Sequence, residues 1–313
     1  MMPSMRWMRW SLLFLTACLS KPAPPADCAD ASCLTVLANE PNASELAVAG
    51  DDVFWTIDGI GGAIRGCSAD ACTPRSLAEK QSSPHAMQLN AEDVLWATGS
   101  AMYRVNRIRA AAPVVQIDDN GLHQVQAFRH IAQQFYWSTD DGFWRCDYEP
   151  GEICMYKTSL SNFARYNGPL TIDASDRLWV TSAGELAVAD LSQGTPQRTF
   201  QVADVRALVA NETHVFVLQD GGTEILAWPV LAPTNAEPRR IRTGGMPRAM
   251  ALDSEALYVA ELAGRIVRIP ILPDLGEPEE IAVGLPKLET LTVSSDRIYL
   301  IADRRIIAWL PKS

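Results

Sequence analysis

Apolar and polar positions along the chain fall into a recurring order. An alternating, strand-like stretch leads into a polar turn holding Asp, Asn or Ser. A second, more apolar strand rich in aromatics follows, then a Gly/Asp turn, then a third apolar strand. The second strands read VFWT, VLWA, FYWS, RLWV, VFVL, LYVA and IYLI, anchored on Trp55, Trp96, Trp137, Trp179, Val217, Val259 and Leu300. These anchors are spaced 41, 41, 42, 38, 42 and 41 residues apart. The third strands follow as GAIRGC, MYRVNR, GFWRCDY, ELAVADL, EILAWPV, RIVRIPI and RIIAWLP. Two units agree in more than pattern. PHAMQLNAEDVLWA from Pro84 and PRAMALDSEALYVA from Pro247 share P-x-A-M-x-L-[Asn/Asp]-x-E-x-[V/L], offset by 163 residues, very nearly four periods.

Repeats of 40–45 residues built from short strands are the signature of propeller blades. Each blade packs on a neighbour through both faces, so many strands are apolar almost throughout rather than strictly alternating. Seven anchors predict an all-β, seven-bladed β-propeller, with six blades and a degenerate extra unit as the alternative. The ends of the chain supply the closure. The cysteine-bearing stretch GCSADACTPRSLA (66–78) has a weaker copy, DCADASCLTVLA (27–38), that lacks the front half of a repeat. The last repeat, conversely, runs out at Ser313 soon after its third strand. The early copy therefore predicts that CLTVLA supplies the missing outer strand of the last blade. Residues 28–313 number 286, and one seventh of that is just under 41. Closing the ring removes the exposed edge that an open stack of sheets presents.

At the N-terminus, residues 1–17 carry Arg6 and Arg9 ahead of a short apolar stretch, which reads as an export signal outside the fold. The tetrad Leu15-Thr16-Ala17-Cys18 resembles the lipobox of bacterial lipoproteins. That resemblance implies that Cys18 becomes the lipid-modified first residue of the mature protein; an ordinary signal cleaved nearby is the alternative. Residues 18–27 form a Pro-rich tether, and residues 28–313 the propeller domain. Leu19 stands where Asp marks inner-membrane retention in some bacteria, so the expected location is the cell envelope with a lean to the outer membrane. VFWTIDG and FYWSTDDG resemble the YWTD-type repeats of six-bladed propellers, with one residue inserted before the Asp. The cysteine pair after the third strand resembles that of repeat proteins exported by bacteria. The likeness covers residues 28–313 and weakens after Trp179, where Val and Leu replace Trp.

Composition adds two exclusions. The chain is 48% hydrophobic and 20% charged, a globular balance, and no apolar run reaches the roughly 18 residues of a membrane span. Loss of residues 1–17 removes two arginines and no acid, leaving 25 Lys+Arg against 37 Asp+Glu, a net charge near −12. Such a surface repels nucleic acid and anionic headgroups, so only the lipid anchor is expected to hold the protein at a membrane.

Candidate chemistry is sparse. Seven cysteines divide into Cys18 alone and the pairs Cys28/Cys33, Cys67/Cys72 and Cys146/Cys154. Their C-x4-C, C-x4-C and C-x7-C spacings fall on blades seven, one and three, so they cannot converge on one metal ion. Structural disulfides across the hairpins between third and fourth strands are expected, in an oxidising compartment. The four tryptophan anchors share one register and are expected between blades. Acids follow the second strands at Asp58, Asp140, Asp141, Asp220, Glu261 and Asp303. Asp beside Gly is what tight turns require, and an acidic ring for a cation is the other possibility. Eleven residues before each anchor lies a column that reads Ser44, His85, Gln126, Gly168, Arg206, Arg248 and Glu289. In a propeller it marks the entrances of the innermost strands, at the mouth of the central channel, where polar side chains could hold an anion or a partner's side chain. His85, His123, His130 and His214 lie in different blades without metal-ligand spacing. The sequons at Asn42 and Asn211 carry no meaning in a bacterial lipoprotein, and no G-x-S-x-G, H-E-x-x-H or phosphate loop is present.

These features favour a monomeric, non-enzymatic binding or scaffold lipoprotein with an envelope protein as partner and no cofactor or metal. One alternative is a small-anion receptor clamping its ligand with Arg206 and Arg248. Another is a lactonase-like, metal-dependent hydrolase with its site in the channel, for which the column supplies one Gln and one Glu. The fold alone does not choose among them.

Overall fold

The computed structural model describes residues 34–109, 112–119, 124–131, 133–148, 154, 157–163, 165–182, 184–190, 196–272 and 274–309. Cys18, Cys28, Cys33, His123, the signal and the tether lie outside these residues, so nothing below bears on the Cys28–Cys33 pairing.

The described strands form seven four-stranded antiparallel sheets; six run in chain order from the innermost strand outward, and the seventh takes its outermost strand from the start of the described chain. The innermost strands are Ala43–Ala49, His85–Leu89, Val125–Ile131, Leu170–Ile172, Val205–Ala210, Pro247–Leu252 and Leu288–Val293. The predicted second strands lie next to them, from Asp52–Ile57 in blade one to Ile298–Ala302 in blade seven. All seven anchors are fully buried. They pack between sheets: Trp179 sits against the inner strand of blade five and Phe200, while Leu300 packs with blade six residues around Tyr258. The seven-bladed reading holds.

Closure also follows the reading from the chain ends. Leu34–Asn39 forms the outer strand of blade seven and pairs antiparallel with Arg305–Trp309, from Leu34 opposite Trp309 to Asn39 opposite Arg305. In blades one and three, disulfides Cys67–Cys72 and Cys146–Cys154 clasp the connection between third and fourth strands, with Cα atoms 5.0 and 5.8 Å apart. Loops this short lose little freedom on cross-linking, so each bond contributes about 2–3 kcal/mol on the chain-entropy account.

The topology fixes which groups share an end. Each inner strand starts opposite the last residues of its second strand, as Ala43 opposite Ile57 and Val125 opposite Thr139. The turns after the second strands and the starts of the inner strands therefore lie at one end of the ring, the mouth.

Candidate functional site

At the mouth, six inner strands share one irregularity. The ladder to the second strand slips at Ser44–Glu45, at Ala86–Met87, and at single residues Gln126, Arg206, Arg248 and Glu289. These are β-bulges, in which an extra residue leaves the pairing and its side chain is aimed anew. The column read from the sequence lands on the bulge in five blades. In blade two the bulge lies one residue beyond His85, and Ala86 there adopts a left-handed φ of 53°. Blade four has Gly168 instead. A Cβ at that position would strike the Thr181 hydroxyl, and the Gly168 amide donates to the Thr181 carbonyl at 2.9 Å.

Several of these side chains are committed to the neighbouring blade. The innermost strand has one edge with no further strand, so its backbone groups need partners from elsewhere. Glu45 accepts from the amides of Ala86 and Met87 at 2.9 and 2.6 Å. His85 has Nε2 at 2.8 Å from the Val125 carbonyl and Nδ1 at 2.9 Å from that of Ser83. Gln88 donates to the Phe128 carbonyl and accepts from the His130 amide at 3.2 Å. Arg206 donates Nε to the Arg248 carbonyl at 3.0 Å and pairs with Asp220 at 3.0 Å. The expected Arg206–Arg248 anion clamp is thus half engaged, since the Arg206 guanidinium already has an acid. By contrast, Arg248 makes no ion pair among the described residues, and Gln126 and Glu289 are exposed.

The acidic turns resolve into local partnerships. Asp58 accepts from the Gly59 amide at 2.7 Å, Asp141 from the Thr139 hydroxyl at 2.6 Å, and Asp303 pairs with Arg305 at 3.3 Å. Glu261 is 1% exposed and receives Arg265 on both oxygens, at 2.7 and 3.1 Å. Among the described residues no group of three or more His, Cys, Asp or Glu could hold a metal ion.

Below the mouth the channel opens into a cavity of about 520 Å³, lined by all seven inner strands or the residues leading into them. Of the column, Gln126 and Gly168 line it; Ser44, His85, Arg206, Arg248 and Glu289 do not. Sequence reasoning missed Glu45 and Arg129, which do. Arg129 sits three residues past the column in VQAFRHI, and the available signal was an arginine in the middle of an inner strand. Its side chain keeps some surface toward the channel while protein surrounds it. Desolvation pushes its pKa below the ordinary arginine value, and Glu45 offsets part of that.

At the opposite end, between blades two and three, Asp93, Arg104, His130 and Tyr148 line a smaller cavity of about 320 Å³. Arg104 pairs with Asp93 at 3.1 Å and lies 5.7 Å from the centre of the Tyr148 ring. Burial lowers the His130 pKa, opposed by Asp93.

No protein-family model matches the chain, and no curated protein matches it by sequence. Solved structures do match in fold. Virginiamycin B lyase from Staphylococcus aureus, a catalytically inactive variant bound to quinupristin, superposes with a TM-score of 0.70 at 14% identity, over 90% of this chain and 99% of that one. The WD40 repeats of RRP9 give 0.71 at 12% identity, over 91% and 99%. BamB from Moraxella catarrhalis gives 0.56 at 12% identity, over 83% and 82%. At such identities the likeness shows the propeller fold alone.

Proposed function

We propose that this chain is a non-enzymatic binding propeller of the bacterial envelope that holds a protein partner on the mouth face. The observation that carries this reading is the ring of bulges. In six blades a residue at the mouth is taken out of the sheet, and where it is not tied to a neighbouring blade it stands free at the rim, as Gln126, Arg248 and Glu289 do. Ile60, at the tip of the turn after the second strand of blade one, is wholly exposed on the same end, and Met246 is half exposed there. An apolar tip among unpaired polar groups is the make-up of a protein contact rather than of a reaction centre. A lyase and WD40 repeats share the fold, so the choice rests on the rim and not on the architecture. The hydrolase alternative needs several free ligands on the inner strands. Of the two channel carboxylates, Glu45 is held by two backbone amides and Glu289 stands at the rim outside the cavity.

Anchoring through Cys18, with a lean toward the outer membrane, belongs to the same proposal and rests on the lipobox-like tetrad and on Leu19. Crosslinking pull-down from native envelopes tests the partner, comparing the natural chain with Ile60→Arg and with Arg248→Glu/Glu289→Lys. A protein captured by the natural chain and lost from both variants supports the reading. Capture of nothing by the natural chain, or equal capture by all three, overturns it. Labelled palmitate incorporated by the natural chain and not by Cys18→Ser tests the anchor.

A further inference from the structure

Arginines in this fold are mostly met by acids where they are buried. Arg177 lies on Asp173 at 2.8 Å and Arg265 on Glu261 at 2.7 Å. Arg129 is not. Among the described residues its one hydrogen bond runs from Nη1 to the Phe128 carbonyl at 2.9 Å, and none of their carboxylates forms an ion pair with it. The acid whose charge it feels, Glu45, has both oxygens occupied by the amides of blade two. A guanidinium has five N–H donors and keeps its proton, so several donors and a full positive charge face the channel. A desolvated charge without a counter-ion is unfavourable, and an anion placed against it recovers the loss.

The geometry points to the central channel as a binding site for a small organic monocarboxylate, with the Arg129 guanidinium as its anchor. A carboxylate matches the planar fork of the guanidinium with two parallel hydrogen bonds. The wall sets the rest of the ligand. Leu46, Met87, Leu208 and Met250 present apolar surface to the same cavity, while Asn167 and Thr290 add neutral polar groups. Gly168 and Ala127 leave room beside the arginine, and about 520 Å³ lies within the range of roughly 300–1,000 Å³ seen for small-molecule clefts. Among the described residues Arg129 is the one cation lining the cavity and Glu45, held by two backbone amides, the one carboxylate, so a monoanion meets a single guanidinium, whereas a phosphate dianion would bring a second negative charge into a space that already holds Glu45. Arg248, half-buried at the mouth and without an ion pair among the described residues, favours entry of an anion into a chain whose net charge is −10.

The site borders the rim at Gln126 but does not rest on the protein-binding reading, and its test uses purified chain without a partner. Butyrate, hexanoate, benzoate and phenylacetate, with inorganic phosphate as comparison, are titrated up to about 10 mM by calorimetry and by thermal shift at low salt. At least one carboxylate is expected to bind the natural chain saturably and raise its Tm. Arg129→Met is expected to abolish that response while unfolding at the same or a higher temperature in the absence of carboxylate, because it removes an unpaired charge. Arg129→Lys keeps the charge without the fork and is expected to weaken binding by about tenfold. The site is overturned if no carboxylate binds the natural chain, if phosphate outbinds every carboxylate, or if the Met variant binds equally well. Should the Met variant fail to fold, unchanged affinity in the Lys variant overturns the proposal and weakened affinity supports it.

Discussion

Blades one to four and blades five to seven meet the same packing demand with different chemistry. In the first group the second strands carry tryptophan, and the clasps at the periphery are covalent, in blades one and three. In the second group the anchors are Val217, Val259 and Leu300, and the outer strands of blades five and six are tied by ion pairs. Arg240 and Arg242 both reach Glu224, Arg239 reaches Glu277, and Arg268 reaches Glu279. The volume lost at the anchors returns one strand outward, since Trp228 and Trp309, in third strands, are as buried as the early tryptophans. Trp228 meets Phe200 with ring centres 5.4 Å apart, inside the same cluster as Trp179. Packing between blades is therefore governed by filled volume and not by a tryptophan at a fixed position, which is why the repeat fades to the eye without fading in the fold.

That comparison can be tested from its largest effect downward. Trp179→Ala removes a whole indole and one of several donors to the Asp173 carboxylate, its Nε1 at 2.9 Å, so urea unfolding should show a loss of about 3–5 kcal/mol. Val217→Ala, the same register in blade five, should lose about 1.5–2.5 kcal/mol for its two carbons. Equal losses at the two sites would contradict the volume account. In blade six, Glu261→Ala leaves Arg265, whose pKa the pair raises, with only Glu280 at 3.3 Å and the Thr243 carbonyl, and should lose about 1–3 kcal/mol. Replacing Cys67 and Cys72 by Ser should lose about 2–3 kcal/mol, and reducing both described disulfides about twice that. Added salt should hardly move stability, because the ion pairs that replace the disulfides in later blades are largely exposed. A steep salt dependence would mean that those pairs matter more than their exposure implies.

The smallest effect concerns pH. Burial lowers the pKa of His130 in the folded chain, so the unfolded chain binds the proton first. Stability should therefore fall as pH drops through the ordinary histidine range near 6.5 and level off below the folded pKa. His214, lowered by burial and by Arg239, acts in the same direction. In His130→Phe the slope of Tm between pH 7 and 5 should be shallower; an unchanged slope would assign the effect elsewhere.

The fold was legible because its signal is periodic. Seven anchors at nearly constant spacing, and a cysteine-bearing strand lacking its front half, sufficed to place Leu34–Asn39 on Arg305–Trp309. The site was legible only in part. The entrance column found the bulges, since a fixed distance from the anchor survives a bulge that nearly every blade shares. It could not tell which side chains the neighbouring blade would claim. The partners of His85 and Arg206 are the carbonyls of Val125 and Arg248, and carbonyls leave no trace in residue identity. Arg129 lies three residues beyond the entrance column, and its place in the channel depends on which way a strand faces after a one-residue slip, which residue identity does not record.

The closing strand also sets an orientation. Asn39 lies at the mouth end of blade seven, opposite Arg305, and Leu34 lies at the far end, opposite Trp309. The chain therefore enters the ring from the side away from the mouth. The described chain thus begins at one end of the ring, and the bulged rim stands at the other.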